Sequence, residues 1–318
     1  FYQLQTIRRY YRKSDTMVLL IQNEVMKLLL KKKMILISLL LLVFIGLFSY
    51  GEKYAYDKTI ERFEEISKES NYDWKSLSSQ QLKDLQRRLD SPYISDNGIK
   101  AVEIEIEQLE YFIENDINPV TPSAAKFSVE FIEQGIMMFI PLLIVILAAD
   151  LVSGEFSNKT IKVLLTRAIP RWKILLSKYI ALIMMTTLVM LIIGTISILV
   201  SYVFFQRWGF AEPVATGFSS VAGMLNTNHV ILVSRLEYIM LTYSLAWFVS
   251  IVIATITLLI SVLVKNTASA IGILMATLIG GQFLQFFLSD WDLVKYFFVT
   301  NLNLTRYLTG SFQQIVGM

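Results

Sequence analysis

Residues Asp150 to Tyr179 read DLVSGEFSNKTIKVLLTRAIPRWKILLSKY, a polar and basic stretch between two long apolar runs. It holds six basic and two acidic groups. The run on each side is long enough to cross a bilayer, whose hydrocarbon core of ~30 Å needs about 20 helical residues. The stretch is therefore read as a loop between two membrane spans, and the chain as an all-α, polytopic helix bundle.

The totals agree with that reading. The chain is 54% hydrophobic and 17% charged, with a mean hydropathy of +0.54, which is far from a soluble domain with one core. It has no cysteine, so disulfides, thiol catalysis and cysteine metal sites are excluded. His229 is its only histidine and falls in a predicted outer loop, which argues against a histidine dyad or metal site. No paired carboxylates occur in the charge-free interiors of the spans, so an enzyme acting alone is the least favoured class.

Five spans are expected: residues 34–50, 128–149, 179–205, 238–264 and 267–289. The second carries Glu130 and Glu133 near its start and Pro141 inside, which predicts a kink at the proline. Sidedness follows from charge. Residues 1–33 hold eight basic and two acidic groups, whereas residues 51–127 hold ten basic and sixteen acidic. Lysine and arginine excess marks the cytoplasmic side, so the amino terminus and the 150–178 loop are expected inside and residues 51–127 outside. Lys265, in the short link between the last two spans, agrees. Trp172, Trp208 and Trp291 all fall at predicted span edges, where amphipathic rings prefer to sit. Five spans that begin inside end outside, so a sixth span is expected beyond Met318. Residues 1–16 read either as an extension or as a cytoplasmic arm, and no cleavable signal peptide is evident.

The outer segment 51–127 has apolar residues spaced by three and four at Ile99, Val102, Ile106, Leu109 and Ile113, and again at Leu82, Leu85 and Leu89. Tyr56, Ile60 and Phe63 repeat the pattern before Asn71, and Pro92, Pro119 and Pro122 break it. Two or three amphipathic helices are predicted there, serving as a structural cap or as a contact for substrate or an accessory protein. Residues 206–237 and 290–318 are read as outer segments without a predicted element.

Inside, residues 17–30 place apolar side chains at 17, 20, 21, 25, 28 and 29, with Gln22, Asn23, Glu24 and Lys27 opposite. This is either an amphipathic helix in the headgroup plane or an extension of the first span. In the 150–178 loop, Asp150 ends the second span, Gly154 permits a turn and Ser157 can cap a short helix. Ile161, Leu164, Leu165 and Ala168 would form its apolar face, and Pro170 would close it. Such a segment has the shape to dock onto a soluble partner, although any cytoplasmic loop carries basic residues. Gly272, Ala276 and Gly280 repeat every four residues in the last span, a small-residue stripe suited to close packing within the subunit or at a dimer interface.

These residues carry a family likeness. The 150–179 stretch resembles the cytoplasmic signature of ABC-2 type transporter permeases, the membrane subunits of bacterial ABC exporters, at Asp150, Ser153, Gly154, Glu155, Thr160, Lys162, Leu164, Leu165, Arg171, Lys173 and Lys178. IQNEVMKLLLKKK, with Asn23, Glu24 and Lys27, is similar to the family's amino-terminal helix, and FVTNLNLTRYLTG, Phe298 to Gly310, to its last outer stretch. The resemblance implies six spans, a pair of permeases and two separately encoded cytoplasmic ATPase subunits in the plasma membrane of a bacterium. It also implies that Asp150, Gly154, Glu155, Thr160, Lys162, Leu164, Leu165 and Arg171 meet the ATPase. No phosphate-binding glycine loop occurs here, so ATP and magnesium would be held by the partner and no cofactor by this chain. The missing sixth span and the large outer segment depart from the family pattern. The outer segment is also similar to that of mechanotransmission ABC proteins, which act on extracytoplasmic partners without moving cargo. Spans three to five have no charge in their interiors, unlike secondary transporters and channels, and suit a hydrophobic or amphipathic substrate such as an antimicrobial peptide, drug or lipid. Nothing in the sequence points to nucleic acid.

Overall fold

A computed structural model describes residues 17–30, 32–67, 73–90, 96–160, 169–221, 224–227, 229–287 and 298–309. Helices dominate: α1 (17–30), α2 (Lys33–Ser67), α3 (Trp74–Leu89), α4 (Asp96–Glu114), α5 (Ala124–Gly135), α6 (Phe139–Ala148), α7 (Ser153–Ser157), α8 (Arg171–Phe205), α9 (Arg235–Leu263), α10 (Thr267–Phe287) and α11 (Arg306–Thr309). α2, α8, α9 and α10 are each long and apolar enough to cross a membrane, and α5 with α6 would add a fifth span if the broken pair counts as one. The chain is thus a mainly helical membrane protein.

It is not all helix. Residues 206–237, expected as a loop, contain β1 (Pro213–Thr216) paired antiparallel with β4 (Ile231–Ser234), in register Pro213 to Ser234, and β2 (Ser219–Val221) paired with β3 (Met224–Asn226). The β-branched content of β4 and of Val214 and Thr216 favours an extended backbone. Gly217 makes the turn out of β1 with φ of +87°, and a Cβ there would meet the His229 carbonyl oxygen at 2.7 Å. His229 itself is exposed.

The chain forms two units, one of residues 1–41, 135–194 and 247–284 and one of residues 42–134, 195–246 and 285–318. In the first, α6 is apolar on every side and buries seven of its ten residues, as a central helix should. The same unit also buries the side chains of Ile37, Leu41, Leu182, Met185, Ile193, Ala254 and Ala270. In the second, the α3 and α4 helices pair, each burying one apolar edge at Leu77, Val102, Ile104 or Leu109. Ser128 of α5, Ser197 of α8 and Tyr243 of α9 share hydrogen bonds of 2.7–3.1 Å, the polar contacts that hold helices together where apolar burial gives no preference.

Three local expectations change. α2 continues to Ser67, so Tyr56, Ile60 and Phe63 extend the first span rather than begin a new helix. α1 is separate from α2, because Lys32 takes a left-handed φ of 55°, a conformation that no helix propagates. The second span breaks at residues 136–138, before Pro141 rather than at it. Pro141 sits in the first turn of α6, where its missing N–H costs nothing, but its ring bars a helical bond to the carbonyl four residues back. That carbonyl, Met137, accepts a hydrogen bond from Gln282 Nε2 at 3.0 Å instead. Gln282→Leu removes this bond and should destabilise the protein by about 1 kcal/mol, read as a lower unfolding midpoint in detergent. Gln282→Asn, too short to reach, should behave alike.

Candidate functional site

The described parts of the 150–179 stretch are organised around one lysine. Lys178 lies one turn into the apolar part of α8 with its side chain 3% exposed, a burial no ammonium tolerates without partners. Its three protons are all used. Nζ donates to Glu24 Oε2 of α1 at 2.9 Å, to Glu155 Oε1 of α7 at 2.7 Å and to the Leu151 carbonyl at 3.1 Å. Lys27, one turn beyond Glu24, donates to Glu24 Oε1 at 2.7 Å and stands 3.7 Å from Glu155. Two lysines and two carboxylates thus close a neutral knot joining α1, α7 and the foot of α8. Burial pushes the Glu24 carboxyl up, but Lys178 and Lys27 together hold it below the usual carboxylate range.

A second pair lies alongside. Lys33, at the start of α2, is 2.9 Å from Asp150 and donates to the Ile146 carbonyl at 2.9 Å. The turn between α6 and α7 is fastened by Ser261 of α9, whose hydroxyl accepts from Val152 N at 3.2 Å and Ser153 N at 3.0 Å and donates to the Ala149 carbonyl at 2.7 Å. Those amides begin α7 and would otherwise be orphans. Ser153 also reaches Thr267 of α10 at 3.2 Å. Gly154 is buried, and a Cβ there would stand 3.2 Å from that of Asp150.

The structure divides the residues that the sequence groups. Glu155 joins the knot, Asp150 pairs with Lys33 and Gly154 is buried, whereas Thr160 and Arg171 are exposed, as are Asn158 and Lys159. Lys162, Leu164 and Leu165 lie outside the described residues, with most of the helix expected over 157–168. Ser157 ends α7 rather than capping a following helix. Of the α1 residues, Asn23 is exposed, Glu24 buried and Lys27 half-buried. The face of α1 read as lipid-directed is the packed one at Leu28, and Val18, Leu19, Met26 and Leu30 are exposed instead. Gly272 and Ala276 are exposed, and a Cβ on Gly272 or Gly280 would meet nothing within 4 Å. Lys33 and Ser261 are absent from the residues singled out in the sequence, and Lys178, named there in the signature, carries no predicted role. A lysine beside a span reads as a sidedness marker, and nothing local ties Lys178 to a carboxylate 154 residues away.

A family model described as "Protein of unknown function (DUF2705)" matches residues 105–317. The chain belongs to this family. It is 27% identical over 245 residues to "Uncharacterized protein YhcI" of Bacillus subtilis (strain 168), covering 76% of this chain and 75% of that protein. It is 26% identical over 180 residues to "Uncharacterized membrane protein YdbK" of the same organism, covering 55% of this chain and 65% of that protein. No solved structure matches the chain. The DUF2705 match includes α7 and Lys178 but begins after α1, so the Glu24 arm of the knot lies outside the matched region.

Removing one partner of a buried pair strands the others. Lys178→Met should cost about 3–5 kcal/mol, against under about 1 kcal/mol for Lys27→Ala, whose side chain is 43% exposed; unfolding midpoints in detergent compare them. Glu24 also makes stability depend on acid. Its folded pKa lies below its unfolded one, so its contribution is complete above the ordinary carboxylate range and is lost as pH falls through the depressed folded value. Stability should therefore hold from neutrality to about pH 5 and drop below it, with a shallower drop in Glu24→Gln.

Proposed function

We propose that this chain is the permease subunit of an ATP-driven exporter of the ABC-2 type, with ATP and magnesium held by separate cytoplasmic ATPase subunits and a second permease copy completing the pore. The observation that supports the reading is the ion-pair knot, which makes the signature loop, the amphipathic α1 and the foot of α8 one mechanical piece. A push on the exposed 158–160 turn or on Arg171 would be passed to a spanning helix through bonds of 2.7–2.9 Å, without slack. An ATPase that grips this surface differently with and without ATP supplies the free-energy difference such a switch requires.

In this account Glu155 transmits force and the exposed residues make the contact. The open face at Gly272, Ala276 and Gly280 suits the second copy, since small residues let helix backbones approach closely. The charge-free span interiors suit a hydrophobic or amphipathic cargo.

Charge reversal at Lys159 and Arg171 together should abolish co-purification of the cytoplasmic ABC ATPase that pairs with the parent chain, while leaving the permease's unfolding free energy within about 0.5 kcal/mol of the parent. Undiminished co-purification and ATP-dependent transport in that variant would contradict the docking surface.

A further inference from the structure

The ion-pair knot uses one face of α1. Glu24 and Leu28 are buried there, and Glu24 reaches Lys178 of α8. The opposite face is apolar too: Val18, Leu19, Met26, Leu29 and Leu30 are 40–72% exposed. At 3.6 residues per turn they fall within one sector of about 140°, interrupted only by the exposed Gln22 and Asn23. The pattern in the sequence reads this side, with Gln22 and Asn23, as the polar one. The foot of α8, bonded to α1 through Lys178, is likewise apolar outside. Trp172, Leu175 and Leu176 are exposed and, at spacings of three and four, share one side of the helix. The Lys173 ammonium stands 5.7 Å from the centre of the Trp172 ring, and a tryptophan with a lysine beside it is typical of a membrane–water boundary.

Charge in this unit is one-sided. Its acids among the described residues are Glu24, Asp150 and Glu155, and each is consumed in an ion pair with Lys27, Lys33 or Lys178. Lys32, Lys159, Arg171, Lys173 and Lys265 form no ion pair among the described residues and are exposed or half-buried. Lys32 lies just past the end of α1, in the left-handed turn that separates it from α2. The unit that carries the apolar stripe therefore carries uncompensated positive charge.

An aliphatic stripe of this kind is not left in water, and the bilayer beside the spans of the same unit is always there to cover it. The two amides set the depth: at headgroup level they stay hydrated, whereas among acyl chains an unbonded amide is costly. The unpaired lysines set the charge of the leaflet, since each one near an anionic surface strengthens attachment about fivefold. We propose that the outer face of α1 and the foot of α8 lie on an anionic lipid leaflet at headgroup depth, with Lys32 and Lys173 against lipid phosphates. Lipid holds α1 from outside as Lys178 holds it from inside, whether or not an ATPase docks, so the assignment goes beyond the exporter reading.

The chain has no cysteine, so Met26→Cys can carry a single environment-sensitive fluorophore on the exposed face. The full chain so labelled is placed in nanodiscs that contain a lipid with a nitroxide on its headgroup. Discs of phosphatidylcholine are compared with discs of equal parts phosphatidylcholine and phosphatidylglycerol. Quenching by the nitroxide lipid should be about twofold or more stronger with phosphatidylglycerol, and quenching by aqueous acrylamide correspondingly weaker. Lys32→Glu with Lys173→Glu should abolish this difference. So should about 0.5 M salt with the parent lysines, because charges more than roughly 4 Å apart are then screened; this arm decides if the double variant misfolds. Equal nitroxide quenching in both discs, or a difference that survives the lysine changes and the salt, would overturn the assignment. So would a label shielded from both quenchers, which would mark a protein surface such as a second copy as the occupant.

Discussion

One buried ammonium constrains the first unit of this protein. Lys178 is nearly inaccessible and has its proton donors divided between two carboxylates and a carbonyl, so α8 can adopt its position only when α1 and α7 adopt theirs. An apolar residue at 178 would let those elements slide; a lysine ties each to the others with direction. The arrangement gives little net stability over a well-packed apolar substitute, and its value lies in fixing one geometry. The Ser261 hydroxyl extends the constraint to α9 and Thr267 to α10, so the signature turn is fastened to three spanning helices of its unit.

Much of the span architecture is legible in the sequence because it depends on bulk apolar length, a property of about twenty residues at a time. The spans at 179–205, 238–264 and 267–289 coincide with α8, α9 and α10 to within a few residues at most ends. What the sequence conceals depends on single long-range bonds. Pro141 announces a kink, but its place is decided by which carbonyl the ring exposes and by Gln282 being there to satisfy it. The strands at 213–216 and 231–234 are too short for periodicity to register, although their β-branched residues hint at them. Glu155 reads as a docking residue through the family resemblance, whereas the structure pairs it with Lys178 of the same chain.

The coupling account stands or falls on whether Glu155 and Lys178 act as a unit in the working complex. A double-mutant cycle of Glu155→Gln and Lys178→Met, read as permease-stimulated ATP hydrolysis by the co-purified complex, measures this directly. The account predicts a non-additive result, with a coupling energy above about 1 kcal/mol, as expected for groups in one network. Strict additivity, with each single variant leaving stimulation near the parent value, would contradict it.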